Sequence, residues 1–104
     1  MSLDGLGRFG DPAVLVLSSL AGGDKHGYAL IKDIEEFAGV VLGPGTLYGA
    51  LTRLEARGLV KALPADERRR PYRLTPGGAA TLEDYLRHAR SVANVGLRRL
   101  AAAS

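Results

Sequence analysis

The chain has no cysteine and no tryptophan, one methionine, four tyrosines and two phenylalanines. Without cysteine there is no disulfide and no thiolate metal site. Its only histidines are His26 and His88, and neither accompanies a nucleophile at a spacing that chemistry would use. The acidic pair Glu35 and Glu36 has no histidine at ligand spacing, and no glycine loop is arranged to cradle a phosphate. Catalysis, a cofactor and a metal therefore have no residues to carry them, and the chain is expected not to be an enzyme. No apolar run reaches the roughly 18 residues that span a membrane. Nothing at the N-terminus has the charged-then-apolar form of a signal peptide, so a cytoplasmic address is the expectation. Internal repeats and low-complexity linkers are also missing, which leaves one domain of 104 residues with a modest core.

What is present is a charge asymmetry. Residues 1–45 hold three basic and six acidic side chains, whereas residues 46–104 hold eleven basic and five acidic ones. Eleven of the fourteen basic residues are arginine, and "ERRRPYR" at 67–73 places four of them in seven positions. A flat guanidinium suits phosphate, so a polyanion is the first partner to consider; a solvated surface run is the bland alternative.

Hydrophobic spacing and punctuation predict a mainly α chain with a small two-stranded β wing. The glycine-rich opening, residues 1–10, reads as an arm that at most packs Leu3, Leu6 or Phe9. Asp11 and Pro12 start a first helix that runs to Gly22, apolar nearly all round and hence central. Asp24 is the expected cap of a second helix ending at Gly39. On it Tyr28, Ile31, Ile34, Phe37 and Ala38 share the inward face, opposite Lys32, Asp33, Glu35 and Glu36. A third helix spans Pro44 to Gly58 with Leu47, Leu51 and Leu54 inward. "LVKALP" and "PYRL" read as strands, with Leu59, Leu63, Tyr72 and Leu74 inward and "ADERRR" between them. Thr75 and Pro76 then open a last helix of roughly 40 Å.

Two helices joined by a short glycine-bearing turn, followed by a hairpin with a basic tip, form a winged helix-turn-helix over residues 11–75. That arrangement lays the N-terminal half of its second helix in the major groove of duplex DNA and sets the hairpin's cations on the adjacent backbone or minor groove. The candidate DNA-binding residues are accordingly Pro44, Gly45, Thr46, Tyr48, Gly49, Thr52 and Arg53 on the helix, and Arg68, Arg69 and Arg70 on the wing, residues 65–71. Thr46 and Thr52 offer hydroxyls, Arg53 a guanidinium, and Gly49 close approach. Tyr48 has two readings, a phosphate or sugar contact and a half-buried ring packed on the first two helices. His26 is read as orienting the start of the second helix.

In "HGYALIKDIEE", "PGTLYGALTRLEARGLV" and "RRRPYRLTPGG" the chain resembles the PadR family of bacterial transcriptional regulators, in register over about residues 13–78. The resemblance implies a winged-helix dimer with residues 44–58 as recognition helix, 59–74 as wing and the last helix, 76–104, as the dimerisation element. It also allows a small-molecule effector, although no tryptophan is present to sandwich an aromatic ligand. Two positions depart from the family pattern. Gly43 stands where a serine or threonine is frequent before the helix, and "LTPGG" replaces "LTE-G", which is expected to delay the last helix by a few residues.

Independently of the resemblance, Ala79, Leu82, Leu86, Ala89, Ala93, Gly96 and Leu100 follow 3-4 spacing on that helix, with Tyr85, Val92 and Leu97 beside them. Leu82, Leu86, Ala89, Ala93, Gly96 and Leu100 are the expected homodimer interface. The functional expectation is a sequence-specific DNA-binding regulator, a repressor on an inverted-repeat operator. The alternative is a winged-helix module for protein–protein interaction without specific DNA readout. RNA is disfavoured by the shortage of exposed paired aromatics.

Overall fold

The computed structural model of the chain describes residues 10–103. The expected arm, with Leu3, Leu6 and Phe9, lies outside the described residues apart from Gly10. The elements run α1 (Pro12–Leu20), β1 (Lys25–His26), α2 (Gly27–Ala38), α3 (Pro44–Ala56), β2 (Val60–Ala62), β3 (Pro71–Leu74) and α4 (Pro76–Ala103). The three strands form an antiparallel sheet in the order β1-β3-β2. Among the described residues no helix is long and apolar enough to cross a membrane.

Helix α1 begins as its sequence requires. The Asp11 carboxylate accepts the Ala13 amide at 2.9 Å, and Pro12 occupies a first-turn position where a missing N–H does no harm. Leu15, Val16, Leu17 and Leu20 are buried, and the helix packs against α2, α3, α4 and β3. Around it Leu30, Ile34, Leu47 and Leu51 are almost wholly inaccessible. Burying a side chain of this size contributes about 1.5–3 kcal/mol, so these contacts dominate the fold's stability.

The beginning of α2 differs from the expectation. Lys25 and His26 are extended, opposite Tyr72 and Pro71, and form a third strand that the sequence pattern does not announce. A two-residue strand carries no periodicity, so only its distant partner reveals it. His26, not Asp24, then caps α2, its Nδ1 accepting the Ala29 amide at 3.5 Å. The inward face shifts as well, to Gly27, Leu30 and Ile34, while Tyr28 and Phe37 are 67% and 50% exposed. The physical reason is the fit with α3: a Cβ at Gly27 would overlap the Tyr48 hydroxyl, so this bare position faces α3 and its neighbour Tyr28 faces out. Asp33, expected on the solvated face, accepts the buried Ser19 hydroxyl at 2.6 Å and lies 3.8 Å from the Lys25 ammonium. Lys25 also donates to the Ser19 carbonyl, so one network joins α1, β1 and α2.

Helix α4 is not delayed by its glycines. It starts at Pro76, with the Gly78 amide donating to the Thr75 hydroxyl at 3.0 Å and the Ala79 amide to the Thr75 carbonyl at 2.9 Å. Gly78 is buried there because α4 crosses the backbone of Leu59 at a distance that admits no side chain. A methyl at Gly78 would overlap the Leu59 carbonyl, whereas one at Gly77 would meet nothing closer than 3.8 Å. Gly78→Ala is therefore expected to lower the unfolding free energy by about 1–3 kcal/mol in urea titration, as overpacking does. Gly77→Ala is expected to be neutral or stabilising by up to about 1 kcal/mol, because alanine is the better helix former. Equal effects of the two substitutions would refute the close approach.

Candidate nucleic-acid interface

Helix α3 divides its residues cleanly. Leu47, Ala50, Leu51 and Leu54 are buried, while Pro44, Gly45, Thr46, Tyr48, Thr52 and Arg53 are exposed and Gly49 is half-buried. The polar face expected from the sequence is thus brought together along one helix. Gly43 supplies no side-chain cap, which leaves the first amides of α3 as outward donors suited to a phosphate. The Arg53 guanidinium folds back along the helix, its Nη1 lying 3.5 Å from where a Gly49 Cβ would stand. Thr52 is less free than expected: its hydroxyl donates to the Tyr48 carbonyl at 2.8 Å, so towards a ligand it is an acceptor. Tyr48 takes its packed position, with its hydroxyl end against Gly27, and leaves 48% of its surface accessible.

The wing is tighter than the expected "ADERRR" loop. Asp66 and Arg69 exchange backbone hydrogen bonds of 2.7 and 2.8 Å around a two-residue tip. Both tip residues, Glu67 and Arg68, have positive φ of 46° and 72°. This is the mirror-type turn whose twist suits a hairpin, here formed by residues for which the left-handed region costs about 1–2 kcal/mol each. The three arginines are not equivalent. Arg68 makes no side-chain bond among the described residues, and the Arg70 Nη1 donates to the Leu63 carbonyl at 3.4 Å. The Arg69 Nη1 stands 3.3 Å from the His26 Nε2. This contact links the wing to the start of α2. A guanidinium has five N–H groups, so Arg69 keeps further donors beyond this one.

Arg73, the fourth arginine of the run, belongs to the scaffold. Continuing the β1–β3 register sets Asp24 across from it, and their side chains form a bidentate pair with contacts of 2.8 to 3.2 Å. The Arg73 hydrogen bonds and charge hold the Asp24 carboxyl below its usual range, and the pairing raises Arg73 in turn. Lys61 is the cross-strand neighbour of Arg73 on its other side, so Asp24 also offsets a like-charge contact. Sequence reasoning missed this pair because 49 positions separate its members. Helix α3 is tied to the wing by Glu55, which accepts the Ala62 amide at 3.3 Å. Burial, with Glu55 and Tyr48 nearby, raises the Tyr72 phenol above its usual range and keeps it neutral.

The expected interface on α4 separates into two parts. Leu82 is a correction: only 6% exposed, it is taken up by the chain's own core. Ala89 is half-buried, and Leu86, Ala93, Gly96 and Leu100 are exposed, as are Val92 and Leu97. A groove of about 400 Å³ lined by Leu74, Ala79, Leu82 and Leu86 runs beside the start of the helix.

The outward polar face of α3, the cationic hairpin and the long trailing helix together make a winged helix-turn-helix with an extension. The model of the PadR-like family of transcriptional regulators matches residues 16–84. The chain belongs to that family. A PadR family transcription regulator from Clostridium difficile is 31% identical with a TM-score of 0.78, covering 88% of this chain and 99% of that one. "Transcriptional regulator Rv3488" of Mycobacterium tuberculosis is 38% identical over 72 residues, 66% of each chain. An "Uncharacterized 37.1 kDa protein in transposon TN4556" of Streptomyces fradiae is 50% identical over 91 residues, which are 88% of this chain and 26% of that protein. The chain thus spans about a quarter of one curated relative and about two thirds of the other. Residues 16–84 are thus a winged-helix unit of the DNA-binding type found in the PadR-like family of transcriptional regulators.

In this PadR-like headpiece the Asp24–Arg73 pair makes stability depend on pH. The folded carboxyl titrates lower than the unfolded one, so its contribution is complete above the ordinary aspartate range and fades as pH falls through the lower folded value. Asp24→Asn should therefore melt below the unmodified protein at neutral pH, with the gap closing in acid and narrowing in high salt. A gap that stays constant from neutral to strongly acidic pH would show that the charge of Asp24 contributes nothing to stability.

Proposed function

We propose that the protein represses transcription by occupying an inverted-repeat operator as a homodimer. In this reading residues 11–75 are the DNA-binding unit, with recognition helix 44–58 and basic wing 65–71, and residues 76–104 form the dimerisation helix. The observation that carries the DNA reading is the divided face of α3. Its leucines hold the helix in the core while Thr46 and Arg53, two turns apart, stay outside with Tyr48 and Thr52, and the half-buried Gly49 lies between them. First-turn residues and Arg53 would reach base edges in the major groove, and the outward amides of Gly45 and Thr46 would meet a phosphate. Arg68 and Arg69 would contact the flanking backbone, adding affinity more than sequence choice.

Dimerisation is supported by the apolar stripe that the chain does not cover. Val92 and Leu97 are 58% and 66% exposed on a helix that has left its own headpiece. Burying each against a second copy would contribute about 1.5–3 kcal/mol, and the small residues Ala89, Ala93 and Gly96 would permit close approach. A regulator of this kind has a cytoplasmic address, and the reading leaves room for a small-molecule effector of unidentified structure and site.

Selection of bound duplexes from a random pool tests the reading. The expected result is a palindrome with half-sites about 34 Å, or a multiple of that, apart. Arg53→Ala is expected to weaken the selected site by about 1–3 kcal/mol and to relax one position in each half-site. Replacing Arg68, Arg69 and Arg70 with alanine should weaken all duplexes and lower the salt slope by about one unit for each phosphate no longer neutralised. Recovery of no palindrome, with acidic proteins bound instead, would favour a protein-interaction module. For the dimer, Leu86→Asp combined with Ala93→Asp should give monomers by light scattering, because the seam would otherwise bury unpaired charge. A monomeric unmodified protein at micromolar concentration would end this part of the proposal.

A further inference from the structure

Where α4 begins, one side chain is bonded to both of the elements whose relative orientation a dimeric regulator must control. The Thr75 hydroxyl donates to the Gly58 carbonyl at 2.6 Å and accepts the Gly78 amide at 3.0 Å. The Thr75 amide donates to the Leu59 carbonyl at 3.2 Å. Gly58 and Leu59 are themselves tied to α3, their amides donating to the carbonyls of Glu55 at 2.9 Å and Leu54 at 3.0 Å. The bare Gly78 lets α4 lie directly on the Leu59 backbone, where a Cβ would collide. A continuous series of short bonds therefore runs from the end of the recognition helix to the first turn of the long helix.

We infer that Thr75 is a positioning residue for DNA binding: its hydroxyl straps α4 to the turn that closes α3, and so sets the distance between the two recognition helices of a dimer. This rests on the dimeric reading above. A 28-residue helix is about 42 Å long, and a tilt of about 5° at its base moves its far end by about 4 Å, close to one base-pair step. The residue type fits the role. An ionised aspartate at this position would cap α4 as well as threonine does, but it has no proton for the Gly58 carbonyl; a hydroxyl both donates and accepts. Capping alone thus leaves the choice of threonine unexplained, and the strap supplies the reason.

The test separates cap from strap. The native chain has no cysteine, so Ala56→Cys, at the exposed end of α3, gives one spin label per protomer and one interprotomer distance in the dimer. The expected result is a narrow distance distribution for the unmodified strap and for Thr75→Ser, and a broad or displaced one for Thr75→Asp, which keeps the cap. On inverted repeats recovered by selection and resynthesised one base pair longer or shorter, Thr75→Asp should lose about fivefold of the spacing preference, the equivalent of one ordinary hydrogen bond. Thr75→Ala should show the same broadening with a lower melting temperature, and it decides the matter should the aspartate variant not fold. A dimer whose distance distribution and spacing preference are the same in the serine, aspartate and alanine variants overturns the inference while leaving the dimer standing. A labelled protein with no interprotomer distance overturns the dimer, and the inference with it.

Discussion

A nine-residue helix that is apolar on nearly every side is stable only where other elements surround it, and the rest of the structure is arranged to do that for α1. Helix α2 covers it with Leu30 and Ile34, α3 with Leu47 and Leu51, and α4 with Leu82. Each of these covering elements is amphipathic, so each also presents an outer face. The face that α3 presents is the polar one from Thr46 to Arg53, and its position follows from the need to keep α1 dry. Sheet and hairpin complete the cover through Tyr72 and Leu74, which pack at the edge of the same core.

Polar bonds then decide which arginines remain for a partner. Arg73 is paired with Asp24 and belongs to the scaffold, whereas Arg68 stands at the tip of a strained two-residue turn with no side-chain bond among the described residues. The acidic first half of the chain contributes to this division. Asp24 pins the wing, and Asp33 closes a network with Ser19 and Lys25 at the start of α2. The excess positive charge of the second half is left on the wing tip, on Arg53 and along α4. A basic run in the sequence is thus divided by the fold into an arginine committed to the scaffold, Arg73, and arginines left at the wing tip.

Helix α4 has two physical regimes. Up to Leu82 it is part of the headpiece, fitted onto the Leu59 backbone through Gly78. Beyond Leu86 it is a solvated helix, and the exposed Arg87–Glu83 pair at the boundary adds only a few tenths of a kcal/mol, on the order of 0.3. Isolated helices of this kind are marginal in water, and an apolar stripe on one is stabilised by burial against another surface.

The amino-acid sequence by itself determined the four helices, the hairpin, the buried leucines of α1 and α3 and the polar face from Thr46 to Arg53. Each of these is written in local spacing and in caps such as Asp11–Pro12, which act over one or two turns. It also carried the family's motifs, and so the DNA-binding class of the protein. Tertiary structure alone decided the third strand, the inward turn of Gly27 in place of Tyr28, the transfer of the α2 cap from Asp24 to His26, and the pairing of Asp24 with Arg73. It alone removed Leu82 from the exposed stripe and required glycine at 78 but not at 77. Nearly all of these depend on residues brought together from distant parts of the chain, and a periodicity or a cap, which registers only neighbours within a turn or two, contains no record of them.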